Sequence, residues 1–262
     1  MRGGGWLVWA TVAGFVFLYV PILSLIVFSF NESRLVTVWA GFSTKWYGEL
    51  FRDEQIRQAA WVSFRVAFVS ATLAVGLGAV AALVLVRFRA FWGRPVLRGM
   101  ATAPLVMPEV ITGLSLLLLF VSMERLIGWP AGRGMLTIIL AHTTFALAYV
   151  AVIVQSRLVD MDDSLEEAAR DLGAGPVRVF FDVTVPVIAP ALVSGWLLAF
   201  TLSLDDLVVA NFTSGPGAST LPMVIFSKVR LGVSPDINAL ATLIILFVAL
   251  GVALSALILR RR

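Results

Sequence analysis

Three carboxylates, Glu109, Asp205 and Asp206, fall in or at the ends of long apolar stretches. An ionised acid at that depth of a bilayer is unfavourable unless it pairs or faces a polar cavity, so each is a candidate for function. Carboxylates so placed would hold or pass a di- or polycation, whose ammonium groups form charge-assisted hydrogen bonds with them. The competing role is neutralisation of Arg65, Arg125 or an arginine of a neighbouring subunit. Pro104 and Pro108 flank the approach to Glu109. Neither can complete a helical ladder, so a kink or break is expected there, exposing backbone oxygens suited to a cation path. Thr201 and Ser203 precede the aspartates and offer hydroxyls.

A second cluster is built for contact. Ser164-Leu165-Glu166-Glu167 has the pattern of a capping box, with the Ser164 hydroxyl expected on the Glu167 amide and the Glu167 carboxylate reaching back. A helix of about two turns should follow through Ala168, Ala169 and Leu172, ended by Gly173 in the left-handed conformation. Pro176 suits the first position of a second helix over 177–183, and Pro186 should open the next apolar stretch. So short a helix is marginal in water and needs packing against its own chain and a partner. The alternative is a solvated amphipathic connector.

The surrounding elements are membrane spans. The 262 residues are 60% hydrophobic and only 14% charged, with a mean hydropathy of +0.95, far from a soluble domain. Apolar runs long enough to cross a bilayer lie near 6–30, 61–86, 103–123, 135–155, 186–210 and 237–259. These predict an all-α integral membrane protein of six transmembrane helices, a single transmembrane domain over 1–262. The first run follows a lone Arg2; its length and the lack of a small-residue cleavage site favour an uncleaved span.

Orientation follows from basic residues in short loops. The 87–99 loop carries Arg87, Arg89, Arg94 and Arg98 with no acid, and 260–262 is all arginine. Both termini, and the 156–185 loop, are therefore expected on the cytoplasmic side. Trp39, Trp46 and Tyr47 in 31–58 suit the outer interface, and 221–231 reads as a short interfacial or re-entrant helix. Gly76 and Gly78, amid alanines, suit close helix packing. His142, beside Thr143 and Thr144, suits a helix-to-helix hydrogen bond, with a pathway or pH-sensing role as its alternative.

Several classes are excluded. There is no cysteine and one histidine, which removes disulfides, thiolate sites and multi-histidine metal chemistry. The 20 basic residues include only two lysines, Lys45 and Lys228. Neither lies in a Gly-Lys-Ser/Thr phosphate loop, so the chain has no ATP site of its own. Nucleic-acid binding is disfavoured, since no basic and aromatic RNA-binding signature is present. An intramembrane aspartyl enzyme needs paired acids, whereas neighbours such as Asp205 and Asp206 project about 100 degrees apart on a helix. An autonomous ion-gradient carrier would need no docking loop.

The order Glu167-Ala168-Ala169, three residues, Gly173, nine residues, then Val183-Thr184-Val185-Pro186 resembles the loop signature of inner-membrane permease subunits of ATP-binding-cassette importers. Val183 and Val185 stand where Ile and Leu are usual. The resemblance covers nearly the whole chain. It is strongest to the polyamine branch, and there to the putrescine type, through LVTVWAGF at 35–42, APLVMPEVITGLSLLL at 103–118 and LLAFTLSLDDLVVANFTSGPGASTLP at 197–222. It implies a coupling helix set in a cleft of a separate ATPase. Glu167, Ala168, Ala169 and Gly173 would face that partner, with Ser164, Glu166 and Leu172 on the same element. It further implies an ATPase dimer that carries ATP and Mg, a second permease subunit, an extracytoplasmic substrate-binding protein and a bacterial inner-membrane location. This chain would bind no cofactor or metal. Permeases for amino acids, metals or oxyanions are the alternative, but an anion path calls for basic residues within the spans, and only Arg65 qualifies.

Overall fold

The computed structural model describes residues 5–35, 38–88, 90–232 and 234–260, with side chains through Leu250. In chain order the elements are α1 (Gly5–Phe28), α2 (Lys45–Arg52), α3 (Glu54–Arg87), α4 (Arg94–Val106), α5 (Glu109–Ile127) and α6 (Met135–Val159). Then come α7 (Ser164–Asp171), α8 (Pro176–Val179), a π-turn (Phe180–Thr184), α9 (Val185–Asp205), α10 (Val208–Thr213), α11 (Leu221–Leu231) and α12 (Pro235–Arg260). An isolated bridge between Asn31 and Phe42 is the nearest approach to a strand among the described residues. Arg2, Arg89, Arg261 and Arg262, used above for orientation, lie outside them.

The chain is all-α, as its apolar runs require. Among the described residues, five helical stretches are long and apolar enough to cross a membrane: Trp6–Phe28, Glu54–Arg87, Glu109–Ile127, Met135–Val159 and Pro176–Asp205. At the place of the sixth, α12 runs for 26 residues and is apolar over Pro235–Leu250.

Most spans shift at their ends, as α3 does by starting at Glu54 where 61 was expected, but two are recast by breaks in the helix. The third, expected over 103–123, is cut at Met107, which is extended at φ −79°, ψ 134°. The ring of Pro108 disfavours helical conformation in the residue before it, so the crossing helix is α5 and begins at Glu109. Pro104 causes no such break and is absorbed inside α4. The fifth, expected over 186–210, starts earlier and ends earlier. Pro186 sits in the first turn of α9 as expected, but the helix does not start anew there: α8, the π-turn and α9 run on continuously to Asp205. The π-turn resets the ladder just before the proline, with Val185 N–H donating to the Phe180 carbonyl five residues back. Asp206 is then extended, at ψ 127°, and α10 is a separate short helix.

The chain divides into two compact units, 59–223 and 1–58 with 224–262. In the first, the core joins Ala71, Ala74 and Ala82 of α3 to Ala146, Val150, Val154 and Leu158 of α6, and to Ile188 and Ala199 of α9. Helices in lipid gain little from apolar burial against one another, so close packing of small residues has to hold them. Gly78 illustrates it: a Cβ there would meet Val150 Cγ1 at 2.9 Å and the Leu147 carbonyl oxygen at 3.1 Å. Gly76, read as part of the same face, has open space beside it. Hydrogen bonds supplement the packing, from Ser70 Oγ to the Ile139 carbonyl at 3.2 Å and from Trp196 Nε1 to Thr72 Oγ1 at 3.1 Å.

In the second unit, Asn31 organises the turn after α1. Its amide nitrogen donates to the carbonyls of Leu35 and Val38, and its Oδ1 accepts from the amides of Ser33 and Ala40. Trp46 is buried, with Nε1 donating to the Asn31 carbonyl at 2.6 Å. The indole thus closes the turn. Tyr47 OH lies 2.7 Å from Ser29 Oγ, while Trp39 stays exposed. Lys228 bridges Asp53 at 2.6 Å and Asp236 at 3.1 Å. The short helix expected over 221–231 is α11.

Candidate functional site: a coupling element and an acidic cleft

The sequence candidates form two groups, both within 59–223. The first is α7. Its C-terminal end is built as expected: Gly173 has φ +83°, its N–H donates to the Arg170 carbonyl at 2.9 Å, and that of Ala174 donates to the Ala169 carbonyl at 3.1 Å. This is a Schellman ending. The N-terminal end is not the expected capping box. Ser164 lies inside the helix, and its N–H donates to Asp162 Oδ1 at 2.9 Å, while the Asp163 carbonyl accepts from the amides of both Glu166 and Glu167. The aspartates before Ser164 thus satisfy the first turn one step earlier than a serine cap would. That backbone bond holds the Asp162 carboxyl below its ordinary value.

The expected contact residues separate by direction. Ser164, Glu167, Ala168 and Gly173 are exposed and Ala169 is half-buried. Leu172 is 90% exposed on the helix end. Glu166 turns inward and is only 6% exposed. Its Oε1 accepts from Arg87 Nη2 at 2.7 Å and from Thr184 Oγ1 at 2.7 Å, and its Oε2 accepts from Arg170 at 3.3 Å. Arg87 also pairs with Asp163. A cleft of about 610 Å³ opens beside this cluster, lined among others by Arg87, Glu166, Glu167, Arg170 and Thr184. Nothing in the sequence marks Arg87 or Thr184 as part of this element. Arg87 read only as loop charge, and Thr184 carried no signal beyond its place in the loop signature.

The second group is an acidic cleft of about 460 Å³. It forms where two helices are broken, between α4 and α5 at Met107-Pro108 and between α9 and α10 at Asp206-Leu207. Glu109, Asp205 and Asp206 all line it, with Thr112, Phe145 and Tyr149 among the others. Glu109 and the adjacent Asp205 and Asp206, far apart in sequence, therefore line one cleft. Their environments differ. Asp206 is committed to the fold: its carboxylate accepts from the Val209 and Ala210 amides at 3.3 and 2.7 Å, and its Oδ2 lies 3.1 Å from His142 Nε2. His142 is fully buried, with Nδ1 2.6 Å from Ser203 Oγ, a link between α6 and α9. Glu109 and Asp205 are exposed in the cleft. Among the described residues no ion pair joins any of the three acids to Arg65 or Arg125; the Arg65 guanidinium lies 4.5 Å from the centre of the Trp61 ring.

Chemically, the cleft is lined by carboxylates and aromatic side chains, groups of the kinds that attract cations. Asp206, already occupied by two backbone amides and lying against His142, is poorly placed to share a proton with Asp205. Among the described residues no group of three His, Asp or Glu side chains is arranged to hold a metal.

Comparison with known proteins fits this architecture. The chain is 62% identical over 240 residues to the putrescine transport system permease protein PotI of Escherichia coli (strain K12), covering 92% of this chain and 85% of that one. It is 43% identical over 247 residues to the spermidine/putrescine transport system permease protein PotC of Haemophilus influenzae, covering 94% and 93%. Among solved structures, a chain of a bacterial ABC transporter involved in the import of the acidic polysaccharide alginate superposes with a TM-score of 0.73 at 18% identity, covering 98% of this chain and 96% of that one. A chain of the MetNI methionine ABC transporter gives 0.61 at 15% identity, covering 84% and 98%. At such identities these two speak for the fold alone. Residues 74–261 match the family described as binding-protein-dependent transport system inner membrane component, and with the two permeases above this places the chain in that family: it is a membrane permease component of a binding-protein-dependent transport system.

Proposed function

We propose that this chain forms half of the translocation pathway of an ATP-binding-cassette importer for polyamines, putrescine or spermidine, in a bacterial inner membrane with both termini cytoplasmic. It acts as one transmembrane domain of six crossings, α12 being the sixth. A second permease subunit completes the pathway, an extracytoplasmic substrate-binding protein delivers the cargo, and an ATPase dimer binds ATP and Mg. The observation that carries the substrate class is the acidic cleft at the two helix breaks, where Glu109 and Asp205 stand exposed beside Phe145 and Tyr149. Relatives named for putrescine and spermidine support the same class.

The geometry supports a role for each residue. Glu109 and Asp205 offer carboxylates to ammonium groups in transit, and Asp206 fixes the α9–α10 corner that presents Asp205. A path with few, weakly held sites lets the cargo leave again. On the cytoplasmic side Ser164, Glu167, Ala168, Ala169, Leu172 and Gly173 meet the ATPase, and Glu166 anchors their helix from behind.

Reconstitution with the cognate ATPase, second permease and binding protein in proteoliposomes tests this with radiolabelled putrescine and spermidine. The expected result is ATP-dependent uptake of at least one of them. A charge-assisted bond is worth about 1.5–3 kcal/mol, so Glu109→Gln and Asp205→Asn should each lower uptake about tenfold or more. Uptake without ATP would support a gradient-driven carrier instead, and uptake confined to an amino acid or oxyanion would refute the substrate class.

A further inference from the structure

We propose that Arg87 and Thr184 are positioning residues for coupling, which with Glu166 lock α7 to the end of one spanning helix and the entry of another, so that movement of α7 reaches both. This rests on α7 being the contact with the ATPase.

Little within α7 itself can hold it in place. Eight residues do not make a stable helix in isolation, and most of its surface is exposed. Of its side chains only Glu166 is buried. A buried carboxylate must be satisfied by donors, and here the donors come from two distant parts of the chain. Arg87 is the last residue of α3, and Thr184 is the last residue of the π-turn that leads into α9. Both reach the same oxygen, Glu166 Oε1, at 2.7 Å. Arg87 uses its other terminal nitrogen on Asp163, so one guanidinium grips α7 at its start and one turn further on.

The π-turn supplies the geometry for the second grip. One extra residue in a helical ladder rotates the segment before it by about 100° relative to the segment after it. Thr184 ends that wide turn with its side chain buried against Glu166. A π-turn at this point thus links the register of α9 to the placement of the threonine hydroxyl. Pulling α7 away from the spans breaks hydrogen bonds to a buried acid, so α7, the end of α3 and the start of α9 move as one body. Arg87 suits this task better than lysine would, because a planar fork bridges two acids and a point charge does not.

The test uses the full complex with its ATPase, second permease and binding protein in proteoliposomes, measuring substrate taken up per ATP hydrolysed. Thr184→Val keeps the shape and removes the hydroxyl; Thr184→Ser keeps the hydroxyl; Arg87→Lys keeps the charge. The expected result is that Thr184→Val and Arg87→Lys still copurify with the ATPase and hydrolyse ATP, yet uptake per ATP falls at least fivefold, while Thr184→Ser matches the parent. An unchanged ratio in Thr184→Val overturns the inference. So does a loss of assembly that fully accounts for the lost uptake, since that is a folding role only. Leu172→Asp is the control for the reading beneath. If it leaves ATPase capture intact, α7 is not the contact; if it abolishes capture while Thr184→Val leaves the ratio unchanged, the inference alone fails.

Discussion

Replacing Gly173 with valine isolates the end of α7. The glycine holds φ +83°, and nothing lies within 4 Å of where a Cβ would sit, so the penalty is conformational and owes nothing to crowding. An L-residue in the left-handed region costs about 1–2 kcal/mol. The chain can escape that strain by giving up the two Schellman bonds, Gly173 to Arg170 and Ala174 to Ala169, at about 0.5–1.5 kcal/mol each. The two routes are similar in size, so either way the ratio of formed to frayed helix end falls by a factor of about 5–30. Leu172, whose exposure depends on that ending, then presents to the ATPase only part of the time. Gly173→Val should therefore lower uptake per ATP several-fold in proteoliposomes, with ATPase stimulation by the loaded binding protein reduced in parallel. Gly173→Asn should lose much less, because asparagine tolerates this conformation. Full uptake and full stimulation in the valine variant would refute the reasoning, as would an asparagine variant that is equally impaired.

Other consequences are separable. Gly78→Val overpacks α3 against Val150 and should lower stability by about 1–3 kcal/mol, read as a drop in melting temperature in detergent, whereas Gly76→Val, facing open space, should not. Ser203→Ala removes the partner of the buried His142 Nδ1 and should destabilise by about 1–3 kcal/mol; a melting temperature equal to the parent's would show that the link does not hold α6 to α9. For Asp53, burial pulls the carboxyl upward, but the Lys228 ammonium and the Ile56 and Gln55 amides outweigh it and hold it below 3.8. For Lys228, burial pulls the ammonium down, but Asp53 and Asp236 outweigh it and hold it above 10.5. The depressed acid stabilises above 3.8 and loses that contribution as pH falls through its lower folded value; the raised lysine stabilises below 10.5 and loses it as pH rises through its higher one. The melting difference between Lys228→Met and the parent should thus be constant between those limits and close outside them.

What sequence could and could not reveal divides along physical lines. Apolar length marks spans because the bilayer sets it, and a glycine four residues past the alanine pair of a short helix marks its end because few other residues fit there. The breaks were half legible. Pro108 interrupts its span because its ring holds Met107 out of the helical conformation, yet Pro104, which also lacks an N–H, is absorbed inside α4. Convergence of Glu109 with Asp205 and Asp206 was foreseeable only as a shared role, because bringing them together takes two corners that tertiary packing creates. Glu166 shows the limit most clearly. Nothing local separates it from Glu167; its inward turn is set by Arg87, 79 residues away in the chain. Trp46 is similar, drawn inside by the Asn31 carbonyl it hydrogen-bonds.

The most direct measurement of the central claim uses the absence of native cysteine. Leu172→Cys can be labelled with a membrane-impermeant maleimide in right-side-out and inverted vesicles, with the ATPase bound or stripped away. If α7 is the cytoplasmic coupling helix, labelling occurs only from the cytoplasmic face and is blocked when the ATPase is bound. Labelling from the outer face, or equal labelling with and without the ATPase, would contradict it.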